Sequence, residues 1–441
     1  MFAPGHLGEL TQLVPPEMVD AALATAGGTE QRVRRLPSRV VVYLLLAGAL
    51  FAGHGWGHVW SRLTTALPSV GLRPSGAAIT EAMRRVGPKP LRELFTFFVG
   101  SAVTTARHRV RFAGRLVVAI DGTQIPVADT EANRMVFPKP RSGPNGDPGY
   151  PMIRLVAIVT AGTRHVIEAA FGTDKIGELT YAERVATALR PGMLLLGDRN
   201  FATYRFFATI SRARADFLIR AKTGHGAMNL PVLGPLPDGS FLSNAAGVPV
   251  RVIDAEVMIT TEASARTGRY RLVTTLLDPA EAGAKQLIQL YHHRWEIETA
   301  YCELKSTILG GRVLRSRYPA GVEQEVWALL TAYQVLRTAM ADALLDRPDI
   351  DPDRASFTTA LRTARDQIIR AAGTIAATTI DLVGTIGAAI RADLMPARRV
   401  RTRPRVVKRA ISKYRAKGRD IDRRTYPATL TTRILTPDPD D

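Results

Sequence analysis

The sequence predicts an α/β protein: a mixed sheet interleaved with helices, flanked by helical N-terminal and C-terminal regions. Three observations predict it. Between about residues 110 and 222, short apolar runs alternate with helix-like stretches: RLVVAIDGT, MIRLVAIVTAG, RHVIEAAFGT and GMLLLGD read as strands, ELTYAERVATALR and NFATYRFFATISRA as helices. The first 105 residues carry apolar side chains at helical spacing, including PLRELFTFFVGSAVTTA. A third helical stretch, apolar with scattered charge, runs from about 325 to 390.

Six segments follow from this pattern. Residues 1–105 form a helical domain, equally compatible with DNA binding, dimer contact or plain packing. Residues 106–222 are the first part of an α/β core. Residues 223–268 are rich in Gly and Pro with short alternating runs, the pattern of a small β insertion. The core resumes over 269–340, beginning with the strand-like YRLVTTLLD, and Asp278-Pro279 reads as the N-cap and N1 of a helix. Residues 341–395 are helical and 396–441 are a basic tail. After Pro37, VVVYLLLAGALFAGHGWGHVWSRL looks like one core helix. Its longest apolar stretch, Val40 to Ala52, is about 13 residues and too short for a bilayer span of roughly 18 or more.

Composition narrows the function. The chain has 441 residues, 46% hydrophobic and 22% charged, which suits a globular protein with a large core. Its charge is unusual: 59 Lys and Arg against 40 Asp and Glu give +19, with a pI near 10.5. Such an excess favours a polyanionic partner, most simply nucleic acid; no basic amphipathic helix with an aromatic face argues for a membrane. From Arg398 to Arg424, thirteen Lys and Arg are opposed only by Asp420 and Asp422, which favours nonspecific DNA contact over a merely solvated arm. The single Cys302 excludes a disulfide framework and a Cys-based zinc finger. The opening MFAPGHLGEL lacks the layout of a signal peptide, so a cytoplasmic protein is expected, associated with the nucleoid when DNA-bound.

The most informative pattern lies in the C-terminal third. Tyr291, Arg294, Glu298 and Lys305 fall at i, i+3, i+7 and i+14. At 100° per residue they lie at about 0°, −60°, −20° and −40°, one face of a single helix. A carboxylate among an arginine, a lysine and a phenol suits a divalent metal with phosphates around it. Such a stripe alone is ordinary; its companions are Asp121 and Asp198, each closing an apolar strand-like run. Alone, Asp121 before Gly122 could be a turn residue and Asp198 the N-cap of a helix from about Phe201. Together, three acids on adjacent elements suit phosphodiester chemistry, in which carboxylates hold Mg²⁺ while phosphate and water complete its shell.

VVAIDGT, LLLGDRNF and YHHRWEIETAYCELK together resemble bacterial insertion-sequence transposases of the DDE superfamily. More narrowly, they resemble the insertion-sequence-four-type family, whose signature Tyr-x2-Arg-x3-Glu-x6-Lys is matched here by Tyr291, Arg294, Glu298 and Lys305. The resemblance extends to RLPSRVVVYLLLAGALF and AITEAMRRVG and spans most of residues 1–340. It implies a ribonuclease-H-like mixed-sheet core with a β insertion between the second Asp and the Glu. It also implies that Asp121, Asp198 and Glu298 are the catalytic, metal-binding triad, served by Mg²⁺ or Mn²⁺ as two ions per site. Arg294 and Lys305 would contact end phosphates and Tyr291 would position the end DNA. The implied partners are double-stranded DNA, as transposon ends and target, and a second copy in a homodimer on paired ends. The implied activity is cleavage of the element's ends and strand transfer. The alternatives are a structure-selective nuclease without strand transfer and an inactive DNA-binding derivative.

Neighbouring residues are read more plainly. Trp295 is expected to pack the helix on the sheet rather than to stack on an unpaired base. His292 and His293 are poor ligands for a hard ion, which prefers oxygen. Asp129 and Glu131 serve a loop, and Arg199 either pairs with Asp198 or touches phosphate. Asn200 stands where the family often has Gly, and Asn tolerates positive φ.

Overall fold

The structure, a computed structural model, describes residues 5–28, 30, 32, 34–67, 73–107, 111–139, 149–262, 265–371, 384–396, 401–402, 424 and 426–436. The chain divides into two units. The first comprises Met1–Leu196, Arg212–Ala215 and His293–Met395, and the second Gly197–Ser211, Asp216–His292 and Pro396–Asp441.

The first unit opens with five helices: α1 (Pro16–Thr25), α2 (Ser38–Leu50), α3 (Trp56–Thr64), α4 (Gly76–Val86) and α5 (Lys89–Arg107). The apolar run beginning at Val40 is buried along nearly the whole of α2, as its composition requires. The single helix expected to run on to Leu63 is broken: α2 stops at Leu50 and α3 starts at Trp56. Gly53 and Gly55, poor helix formers, occupy the break.

The strands of this unit are β1 (Arg111–Phe112), β2 (Arg115–Pro126), β3 (Met152–Thr160), β4 (Val166–Thr173) and β5 (Met193–Gly197), with α6 (Glu131–Val136) after β2 and α7 (Glu178–Ala186) before β5. They run in the order β4-β3-β2-β5. β2, β3 and β4 pair antiparallel, whereas β5 is parallel to β2, with Ala119 opposite Leu196. The sheet is therefore mixed, as expected. β2 is longer than its apolar run suggested. Asp121 pairs with Ala157 inside the strand, which continues to Pro126 against β3, so the acid is within β2 rather than at its end. What changes at Asp121 is burial: Leu116–Ile120 are buried and Asp121–Gln124 half-buried.

The second unit contains α8 (Tyr204–Arg212) and the antiparallel strands β6 (Asp216–Ala221), β7 (Gly234–Pro235), β8 (Phe241–Ala245), β9 (Val248–Thr260) and β10 (Ala265–Thr274), in the order β6-β10-β9-β8-β7. The boundary drawn at 268/269 falls inside β10, which pairs along its length with β9 and at its end with β6. α9 (Ala284–Tyr291) begins after Gly283, so Asp278 caps a preceding turn, accepting from the Ala280 N–H at 2.8 Å, and not the helix. β11 (Arg401–Thr402) pairs with β12 (Tyr426–Pro427), and β13 (Thr429–Leu435) pairs with Asp254–Thr260 of β9. The tail thus includes sheet strands. Most of its cationic stretch, residues 397–400 and 403–423, lies outside the described residues.

The chain returns to the first unit at His293 with α10 (Trp295–Cys302), a π-helix (Glu303–Ile308), α11 (Pro319–Asp342), α12 (Phe357–Ile369) and α13 (Gly384–Ala392). α11 is buried from Val322 almost continuously to Met340 and packs against α2 and α5. α10 packs on β2 and β3. No described helix is long and apolar enough to cross a membrane.

Candidate active site

Side chains two apart on a strand share a face. Asp121 and Thr123 therefore leave β2 together, and the segment 294–305 meets them. The Arg294 guanidinium lies between two acids: its NH2 donates to Glu298 Oε1 at 3.1 Å and its NH1 is 3.7 Å from Asp121 Oδ2. Lys305 Nζ donates to Thr123 Oγ1 at 3.0 Å. Glu298, its side chain 41% exposed, is the most open of this group and Arg294 among the most enclosed.

Tyr301 fixes the strand beneath. Its hydroxyl donates to the Asp121 carbonyl at 2.6 Å and accepts from the Ala157 N–H at 3.1 Å. Burial, with the Asp121 charge second, pushes this phenol well above its ordinary range, so it stays protonated. Asp121 Oδ1 also accepts from the Gly122 N–H at 2.8 Å. A Cβ at Gly122 would stand 2.0 Å from Glu178 Oε1, so glycine there admits the Glu178 carboxylate beside the strand. The sequence reading passed over Tyr301. Its signal was available: it stands three residues after Glu298 and four before Lys305, the spacing of one helix face.

The helix itself departs from expectation. A 3₁₀ turn spans His292–Arg294, α10 follows, and the π-helix begins at Glu303. Tyr291, Arg294, Glu298 and Lys305 therefore do not lie on one uniform α-helix, because 3₁₀ and π turns wind more tightly and more loosely than 3.6 residues. Behind the segment lies a buried ionic network. Arg164, in a left-handed conformation (φ 56°), pairs with Glu296, Glu303 and Asp353. Arg337 also pairs with Glu303, which accepts in addition from the Tyr333 hydroxyl at 3.0 Å. Glu296 and Glu303 flank Glu298, so a satisfied charge network anchors the segment from its inner side.

In the second unit, Asp198 follows β5. Its Oδ1 accepts from the Asn200 N–H at 2.8 Å and its carbonyl accepts from the Phe201 N–H at 3.1 Å, a side-chain-stabilised turn. It is not the cap of α8. That helix starts at Tyr204, and Thr203 accepts from the Phe206 N–H instead. Asn200 is not among the described positive-φ residues, so no glycine is required there. Tyr291 is buried, its hydroxyl donating to the Gly197 carbonyl at 3.2 Å, one residue before Asp198.

Trp295 corrects an expectation: it is 53% exposed rather than packed, with the Arg294 guanidinium 5.0 Å from its ring centroid. The packing is done by Ile297, Ala300 and Tyr301. His292 and His293 are exposed. Asp129 pairs with Arg134 and Lys139, and Glu131 lies in the first turn of α6. Arg199 is exposed and makes no ion pair with a described acid.

The donor chemistry fits a hard divalent ion, since Asp121, Asp198 and Glu298 offer carboxylate oxygens. Among the described residues, however, no three His, Cys, Asp or Glu side chains converge to hold one, and Arg294 supplies the positive charge between Asp121 and Glu298.

Residues 4–96 match the model of the insertion element 4 transposase N-terminal region, and residues 112–335, half of the chain, match that of the transposase DDE domain. The chain belongs to the insertion-sequence-four-type DDE transposases. The transposase is 28% identical over 420 residues to transposase InsG for insertion sequence element IS4 of Escherichia coli (strain K12), covering 92% of this chain and 93% of that protein. It is 21% identical over 208 residues to putative transposase InsZ of the same organism, covering 45% and 66%. Among solved structures it is similar to a piggyBac transposase synaptic complex with hairpin DNA, at TM-score 0.45 and 10% identity over 88% of this chain and 84% of that one. The transposase has a mixed, ribonuclease-H-like catalytic core, acts on DNA and depends on divalent metal.

Proposed function

We propose that this transposase cleaves the ends of its own insertion sequence and joins their 3′-hydroxyls to target DNA, with Asp121, Asp198 and Glu298 as its catalytic, metal-binding acids. The observation that carries this reading is the Arg294 guanidinium between Asp121 and Glu298, on a strand and a helix distant in sequence.

Mg²⁺ or Mn²⁺, expected as two ions, would neutralise charge on the attacking and leaving oxygens. The remaining roles belong to the chain. In the first step a water oxygen attacks an end phosphorus and the 3′-oxygen leaves with a proton; in the second, that 3′-hydroxyl attacks a target phosphodiester and expels a target 3′-oxygen. Arg294 and Lys305 are suited to phosphate, one as a planar fork and one as a point charge. Opening Glu298 to an ion requires Arg294 to share or release it, which phosphate arriving at the guanidinium would promote. Tyr291 holds the carbonyl just before Asp198 and positions that acid. Residues 1–105 would contact DNA or a second copy, and pairing two ends would require a dimer. A cytoplasmic, nucleoid-bound enzyme follows from this activity.

The test is a Mg²⁺-dependent assay on linear DNA bearing the element's two ends, with a circular target. Cleavage and joining by the wild type, both lost in Asp121→Ala, Asp198→Ala and Glu298→Ala, are the expected result. Cleavage without joining would make it a nuclease; tight binding without cutting would make it a DNA-binding derivative.

A further inference from the structure

A second cationic feature lies in the first unit. A cavity of about 370 Å³ is walled by the break between α2 and α3, by the chain just after Lys305, and by α12. Arg62, Arg312 and Arg365 line it with His54, and the acid among them is Asp366. Neither Arg62 nor Arg312 makes an ion pair with any described acid. Arg365 is held in place, its Nε donating to the Leu50 carbonyl at 2.7 Å.

The turn that delivers Arg312 begins at Lys305. Gly310 and Gly311 have φ of 61° and 71°, successive left-handed positions for which glycine is the suitable residue. The Gly311 N–H donates to the Lys305 carbonyl at 2.8 Å and the Arg312 N–H to the Leu309 carbonyl at 3.1 Å. Arg312 is therefore tied by one short turn to the signature lysine.

The cations are poorly compensated. His54 is held below its ordinary range by burial first and then by Arg62, His58, Arg365 and Arg312. Its Nδ1 is buried with no hydrogen-bond partner in the structure. Burial, with Arg362 second, also lowers Arg365. The enclosed guanidinium of Arg365, together with the cations of Arg62 and Arg312, unpaired among the described residues, and with Asp366 as the acid in the lining, gains from an anion that neutralises it.

We infer that this cavity is a phosphodiester-binding site, in which Arg62, Arg312 and Arg365 grip the backbone of duplex DNA beyond the stretch held at Lys305. The inference rests on the reading of the chain as an enzyme acting on DNA ends. Guanidiniums line the cavity from three separate chain segments, which suits backbone phosphates, and a phosphate contact strengthens binding without choosing sequence.

The test is equilibrium binding of an end-bearing duplex and a scrambled duplex across a salt series, for wild type and the double variant Arg62→Gln/Arg312→Gln, with Arg312→Glu as a second variant. Melting curves establish folding, and neither side chain makes a described ion pair whose loss would unfold the protein. The double variant should bind both duplexes about tenfold more weakly, with a log–log salt slope shallower by about two, near 0.9 per lost phosphate contact. Unchanged affinity and slope in the folded variants, with steep salt dependence in the wild type, would overturn the inference and leave the functional reading standing. A wild type that binds neither duplex would overturn both. An isotherm for inorganic phosphate that is lost in the variants while the DNA slope stays unchanged would assign the cavity to a small anion and also overturn the proposal.

Discussion

The Tyr301 hydroxyl lies 2.6 Å from the Asp121 carbonyl oxygen, joining α10 to β2 at one of the three acids proposed for catalysis. Because the same hydroxyl accepts from Ala157 N–H, one phenol ties the helix to both strands of the hairpin that carries Asp121. Tyr301→Phe keeps the ring and leaves a buried N–H unsatisfied, a loss of about 1–3 kcal/mol. End cleavage should slow on the order of tenfold through misplacement of Asp121, with end binding unchanged. Denaturant unfolding and single-turnover cleavage check this; wild-type rates in the variant would remove Tyr301 from the positioning role.

With Glu298 as a metal ligand, as proposed, Arg294 would compete with the ion for its carboxylate. In Arg294→Ala the two acids lose their shared guanidinium, so a divalent ion should bind several-fold more tightly, as one cation replaces another near like charges. Mn²⁺ titration followed by electron paramagnetic resonance reads this without activity. Weaker Mn²⁺ binding would mean that Arg294 helps build the ion site and does not occupy it.

The Arg164 network is the anchor of the helical segment. Arg164→Met leaves Glu296, Glu303 and Asp353 without that cation, and breaking a buried pair costs about 3–5 kcal/mol. Urea midpoints should fall accordingly. A loss within about 0.5 kcal/mol, the size of an ordinary surface change, would show that the network contributes little.

His165 sets an acid limit on stability. It is fully buried, and burial, with Arg337 second, lowers it from 6.5 to about 3. The unfolded chain therefore takes up its proton first: the contribution is whole above about pH 6.5 and is lost as pH falls toward 3. Stability measured from pH 7 to 4 should decline, and His165→Gln should flatten the decline. An equally steep decline in that variant would assign the acid sensitivity to other groups.

Trp295 offers an open face. Trp295→Ala should leave stability within about 0.5 kcal/mol of wild type, as for surface changes. If a base stacks on it, binding to ends with unpaired bases should weaken by about 1–3 kcal/mol. Equal loss on fully paired and unpaired ends would exclude stacking.

Much of this architecture is legible in the residues. The apolar runs before Asp121 and Asp198 are the parallel pair β2 and β5, because a strand covered on both faces has no polar alternation to blur it. The signature spacing carried the family, but not the site's shape. A 3.6-residue period cannot foresee a 3₁₀ turn at His292 or a π turn at Glu303, which tertiary contacts such as Glu303 with Arg164 and Arg337 accompany. Nor could composition give the end of β2, which depends on hydrogen bonds from β3. Trp295 misled because a large aromatic beside a core helix is usually buried, and here Ile297 and Ala300 fill that place.

The tail strand has a consequence for the order in which the protein is made. One edge of β9 is covered by β8 over Val248–Val252 and by β13 over Asp254–Thr260. β13 follows β9 in the chain by about 170 residues, so during translation the outer half of that edge emerges long before its partner. A bare edge is a template for pairing with another chain. Each ribosome on a message thus displays, for the time needed to add those residues, a strand that a neighbouring nascent copy could capture, and completion of Thr429–Leu435 closes that interval.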